Sequence, residues 1–371
     1  MTATETPSAR AEVPVGRVDV SAYRIPTDRR PETDGTESWR ATTLVLVEIT
    51  AGGVTGFGWT YASEAAAIFV RDELAPVVAR SDVFATRHTW ARMNGSVRND
   101  GRPGLASYAI AAVDVALWDL RARLLGAPLC DLLGTARHAV PVYGSGGFTS
   151  YDKPVLRAQL AEWAQAGMAA VKMKVGRDHH ADPSRVAAAR AAIGPDVQLF
   201  VDGNGGYDVE EAIRIAHEFA RHGVTWFEQP VDHQDLDGTR RVRDHAPPGM
   251  AISSGEYITD TAAAARVAPV VDVLQADATR CGGYTGFLAI DGYCEVTRKP
   301  LSSHCGPMLH LHAAAAALRL RHMEWFHDHV RIERMLLDGF VEPVNGTVTP
   351  DRTRPGHGFA FKHADARRFA L

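Results

Sequence analysis

No apolar run in the 371-residue sequence approaches the ~20 residues that a membrane helix needs. The opening Met1–Arg10 stretch is polar and threonine-rich with no hydrophobic centre, so residues 1–12 are expected to be a disordered tail rather than a secretory signal. Cysteine is scarce: Cys130, Cys281, Cys294 and Cys305 show no C-x-x-C spacing, which argues against a disulfide framework and for ordinary thiols in a reducing cytoplasm. Charge of one sign is also lacking, with 40 Lys and Arg against 44 Asp and Glu. A net charge of -4 gives no reason to expect nucleic acid or an anionic membrane as partner. Finally, no glycine-rich phosphate-binding fingerprint follows any strand-like run.

What is present has two rhythms. Residues 13–136 begin strand-like, in "RVDVSAYRI", "ATTLVLVEIT" and "VTGFGWTYAS", with "TAGGVTG" supplying the glycines of a hairpin turn. Helical patterns follow, among them the nearly all-apolar "LASYAIAAVDVALWDLRARLLG". This predicts an α+β capping domain. From 137 to 330 short strands alternate with helices, the strands being read at 140–146, 170–176, 198–204, 225–229, 250–256, 271–277, 300–305 and 322–326. Eight such units predict an α/β fold with a (β/α)8 barrel. The loop-rich segment 331–371 is expected to return to the cap and complete it.

Catalytic groups of such barrels stand at the carboxyl ends of the strands. Strand two, "AAVKMKVGRD", ends with Lys172 and Lys174, which alternation places on one face. Asp202 and Asn204 end strand three, Glu228 strand four and Glu256 strand five. Three buried carboxylates on adjacent strands need a strong positive partner, and a hard oxygen-ligated cation such as Mg²⁺ supplies it. Asp277 and His304 end strands six and seven, where a carboxylate would fix the imidazole's tautomer. Glu324 closes the ring from strand eight and, if protonated in a crowded acidic mouth, would donate a hydrogen bond to a developing enolate. The metal and the paired charges are expected to hold one lysine's pKa down, so that it serves as a base.

The stretches "VKMK", "VDGNGGY", "WFEQP", "SSGE", "LQADATRCGG" and "SSHCG", in that order, with "AAVDVALWDLRARLLGAPLCDLLG" before them, resemble the mandelate racemase subgroup of the enolase superfamily. The resemblance covers about residues 15 to 345. It implies one Mg²⁺ per chain on Asp202, Glu228 and Glu256. Lys174 would then be the base on one face, with Lys172 beside the substrate carboxylate. His304, paired with Asp277, would be the acid/base on the other face, and Glu324 would assist at the carboxylate. Asn204 would make a polar contact near the metal, and a cap loop around 26–39 would close over the substrate. Homo-oligomers, dimers or octamers, are common in this family.

The expected reaction removes the proton next to a carboxylate and gives an enediolate. Loss of a neighbouring hydroxyl then makes a sugar-acid dehydratase, which is the leading expectation; return of the proton makes a racemase. The long polar loop "IPTDRRPETDGTESWR" favours a hydroxyl-rich acid, with Arg29, Arg30 and Arg40 as candidates for a distal carboxylate and Trp59 and Tyr61 edging the pocket. The cycloisomerase branch is expected to be more distant, because Asp277 stands where that branch carries a lysine. A non-catalytic metal-binding barrel is the remaining alternative.

Overall fold

The structure is a computed structural model that describes residues 11–28 and 31–371. Arg29, Arg30 and most of the expected tail lie outside the described residues.

The cap is a three-stranded antiparallel sheet, Arg17–Pro26, Ala41–Ala51 and Val54–Tyr61, in which the middle strand is Ala41–Ala51. The hairpin between the last two turns on Gly52 and Gly53, both at positive φ, as a two-residue turn requires. Against the sheet packs the helix Ser107–Leu124, buried along most of its length. Its polar residues fasten the cap to the barrel. Buried Asp114 accepts from the Thr285 amide and hydroxyl at 2.9 and 2.7 Å, and burial lifts its carboxyl to about 7.

Eight parallel strands close into a barrel: Val140–Gly146, Ala170–Lys174, Gln198–Asp202, Val224–Glu228, Ala251–Ser254, Val273–Ala276, Leu301–Ser303 and Leu320–Phe326. The eighth pairs with the first, so no edge is left among them. Strands five to seven are shorter than the sequence suggests. Glu256, Asp277 and His304 therefore stand just past the strand ends, on the loops.

The last segment begins inside the helix His327–Leu336 rather than after it. It touches both parts of the molecule: Thr347–Val348 pairs with the start of the first barrel strand, whereas Ala370 bridges to Tyr23 of the cap. Asp119 is the knot. Fully buried, it accepts from the amides of Phe57 and His357, each at 2.9 Å, and from Arg123 Nε at 2.6 Å. Asp119→Ala leaves these donors without an acceptor and is expected to cost about 3 kcal/mol. A chemical denaturation midpoint unchanged from wild type would contradict that.

Candidate active site

Strand register builds the site. Lys174 pairs with Asp202, and Asp202 with Glu228, so three charged side chains stand in one row across strands two to four. Lys172, one inward position lower, sits level with Ser145 of strand one. Both lysines are buried. Lys172 Nζ reaches Glu228 at 2.6 Å, Glu324 at 2.8 Å and Asp202 at 3.4 Å; Lys174 Nζ reaches Asp202 at 2.6 Å. On the far side His304 Nδ1 lies 2.9 Å from Asp277 Oδ2, the expected dyad. His304 Nε2 faces the mouth, 3.1 Å from Glu256 Oε2 and 3.3 Å from Cys305 Sγ.

The protein's own charges act on the lysines and on Glu324. Burial works to lower the lysines, but Glu228 and Glu324 carry Lys172 well above its ordinary value, and Asp202 raises Lys174. The carboxylates outnumber the cations, so the protein alone stabilises ammonium, not amine. Burial opposes the charge of Glu324, yet Lys172, His304 and Lys174 hold its carboxyl below the ordinary carboxylate range. Its Oε1 accepts from Ser145 Oγ at 2.6 Å and its Oε2 from the Cys305 amide at 2.7 Å. Asp277 is held down at about 2 against its burial, chiefly by the hydrogen bond and charge of His304.

Five buried carboxylates, Asp202, Glu228, Glu256, Asp277 and Glu324, thus face three permanent cations, Lys172, Lys174 and Arg280. Before His304 is counted, two negative charges are unbalanced. Glu228 shows the consequence, pushed up to about 8 by burial and by neighbouring Asp202. Two acceptors in the mouth are also unsatisfied: Asn204 Oδ1 and Glu256 Oε2 are buried without a hydrogen-bond partner, the His304 contact lacking hydrogen-bond geometry. An all-oxygen donor set whose carboxylates outnumber the lysine and arginine cations fits a hard divalent cation. One oxygen each from Asp202, Glu228 and Glu256 is not gathered into a preformed cage, since two of the three lean on the lysines.

A cavity of about 240 Å³ opens above these groups. Lys174, Asn204, Glu256, His304 and Cys305 line its floor; Asp34, Glu37, Trp39, Thr42 and Tyr61 of the cap line its roof. The cap loop is seated on the barrel. Thr36 Oγ1 donates to the Asn204 carbonyl at 3.2 Å, and Thr149 Oγ1 to the Asp34 carbonyl at 2.8 Å. Gly35 touches down where no side chain fits: a Cβ there would meet the Gly203 carbonyl at 2.1 Å. Overpacking against backbone costs about 1–3 kcal/mol, so Gly35→Ala is expected to raise KM about tenfold with the fold intact. Steady-state kinetics with an unchanged KM would refute this role.

Not every expected substrate contact reaches the cavity. Tyr61 does, stacked on His329 at 3.5 Å between centroids with its hydroxyl 3.2 Å from Glu333. Trp59, two residues earlier, is buried instead in the packing between cap and barrel, against Phe57 and His357. Arg40 is exposed and away from the cavity. Sequence reasoning placed Asp34, Glu37 and Trp39 only as part of the closing loop 26–39, and missed Thr42, Tyr257, Arg280, Cys305 and His329. Only Arg280 and Cys305 carried a signal, as neighbours of Asp277 and His304 in "LQADATRCGG" and "SSHCG".

Residues 17–134 match the family described as mandelate racemase/muconate lactonizing enzyme, N-terminal domain, and residues 155–366 match enolase C-terminal domain-like. The chain belongs to the mandelate racemase/muconate lactonizing enzyme subgroup of the enolase superfamily. Across 96% of its length and 99% of the relative's, it is 32% identical to a 3,6-anhydro-alpha-L-galactonate cycloisomerase of Streptomyces coelicolor. A solved mandelate racemase/muconate lactonizing enzyme-like protein from Rubrobacter xylanophilus superposes with a TM-score of 0.95 at 49% identity, over 96% of this chain and 100% of that one. L-talarate/galactarate dehydratase of Salmonella typhimurium, solved as a lysine-to-alanine mutant with Mg and L-glucarate, gives 0.89 at 26% identity, covering 100% and 96%. Enolase-superfamily chemistry is Mg²⁺-dependent removal of the proton next to a carboxylate. Cycloisomerases stand among the relatives beside dehydratases.

Proposed function

We propose that the protein dehydrates a polyhydroxy carboxylic acid to a 2-keto-3-deoxy acid. The observation that carries this reading is one cavity lined both by Lys174 of strand two and by His304 beyond strand seven. Asp202, Glu228 and Glu256 would hold one Mg²⁺, with Asn204 Oδ1 beside them. When bound, the ion supplies positive charge at the substrate carboxylate, where negative charge grows as the proton leaves. Lys172, fixed by Glu228 and Glu324, adds a second positive charge that needs no reorganisation. Of Lys174 and His304, one takes the α-proton and the other gives a proton to the departing hydroxyl. Asp277 keeps the imidazole turned so that Nε2 faces the substrate. The roof of Asp34, Glu37, Thr42 and Tyr61 offers acceptors and hydroxyls to a hydroxylated stem, and its two acids would oppose a second carboxylate.

A second reading, a cycloisomerase acting on an anhydro or lactone ring, is favoured by the Streptomyces relative. The two differ in what leaves. A panel of aldonic and aldaric acids and their anhydro and lactone forms, incubated with Mg²⁺ and assayed for keto acid with semicarbazide, separates them by product mass. A keto product one water lighter than its substrate supports dehydration; one of unchanged mass supports ring opening. Neither from any acid of the panel would overturn both.

A further inference from the structure

The sequence reading treats all four cysteines as ordinary thiols, and Cys130, Cys281 and Cys294 are indeed buried away from the cavity. Cys305 is different. It lines the cavity, held at a φ of 50°, and its amide is tied to Glu324. Cys305 Sγ, His304 Nε2 and a Glu324 oxygen approach one another closely: one donor atom from each lies within 4.8 Å of the others. Three unlike donors, sulfur, nitrogen and oxygen, are the set that borderline-soft cations take and that Mg²⁺ does not. Asp277 on Nδ1 leaves Nε2 as the outward nitrogen, the carboxylate–histidine arrangement that strengthens an imidazole as a ligand.

We propose that Cys305, His304 and Glu324 form a site for a thiophilic divalent cation, with Zn²⁺ as its type, adjoining the carboxylate site through the 3.1 Å His304–Glu256 contact and inhibitory to it. Binding breaks the Sγ–H bond and forms an Sγ–metal bond; the proton leaves to solvent and no electron is transferred. Three protein donors leave the fourth position open to the cavity. The bound ion occupies Nε2, so His304 can neither take nor give a proton, and the substrate loses part of its space.

Co²⁺ is the probe, added to the full-length protein in excess Mg²⁺. Cobalt on the all-oxygen carboxylate set has no thiolate band, so a near-ultraviolet thiolate-to-cobalt charge-transfer band reports this site alone. The expected result is one band-forming equivalent per chain, displaced by Zn²⁺ and absent from Cys305→Ser and Cys305→Ala. No band in the wild type, or a band that survives in folded Cys305→Ser, would overturn the proposal. This readout is independent of turnover and stands if the substrate reading fails. Where turnover is measurable, loss of the sulfur is expected to raise the Zn²⁺ concentration for half-inhibition by about tenfold or more, relative to each variant's own rate in Mg²⁺ without Zn²⁺. Equal sensitivity of wild type and Cys305→Ser would count against it.

Discussion

Lys174→Ala and His304→Asn are each expected to lower kcat by about 10³-fold, within the range for losing a positioned acid or base. What separates them is exchange of the α-proton with D₂O. If the two groups act on opposite sides of one cavity, the variant that keeps the α-base still washes deuterium into the substrate, while the other does not. One exchanging variant and one silent variant is therefore the expected outcome, read by mass spectrometry of recovered substrate. Both exchanging, or both silent with the fold intact, would contradict the division of labour. Lys174 makes its closest charge contact with Asp202 and His304 with Asp277, so each substitution disturbs a different ion pair. The paired result is thus not a shared loss of structure.

The second large effect concerns the charge surplus. Asp202→Asn removes one of the unbalanced negative charges and a donor of the all-oxygen set. Activity is expected to fall by at least about 10³-fold, because the positive charge at the reacting carboxylate goes with it. A ligand that binds only the folded protein stabilises it by about 2.7 kcal/mol at a hundred times its Kd. Mg²⁺ is accordingly expected to raise the melting temperature of the wild type and to leave that of Asp202→Asn unmoved. An equal Mg²⁺ shift in both proteins would place the cation elsewhere. Glu228 gives an internal check: burial and Asp202 push its carboxyl up, so any proton it holds is one that a divalent cation would displace. Mg²⁺ uptake is expected to release protons.

Much of this site was legible because period-two alternation is rigid. "VKMK" puts Lys172 and Lys174 on one face, and parallel register then carries Asp202 and Glu228 into line. Asp277 and His304 were legible as a pair because each follows its strand by one residue. The protonation states were not. The sequence shows two lysines side by side, but only the closed barrel brings Glu228, Glu324 and Asp202 onto Lys172 together, which carries it above its ordinary value in the protein alone. Trp59 and Tyr61 alternate onto one face of the hairpin, and nothing local says that one is packed and the other reaches the cavity. The closing loop was legible as a loop, but where it touches the barrel was hidden for a similar reason. Gly35 matters because Gly203, 168 positions later, comes against it, and a contact of that range has no local pattern.

The most direct test of the account is the fate of the α-hydrogen. A sugar acid that gives keto product in the panel is prepared with deuterium at the carbon next to its carboxylate and incubated with the protein and Mg²⁺. The account predicts that the label passes to water at least as fast as keto acid forms, and that neither occurs once Mg²⁺ is removed. Keto acid formed without release of the label, or formed equally well without Mg²⁺, would contradict it.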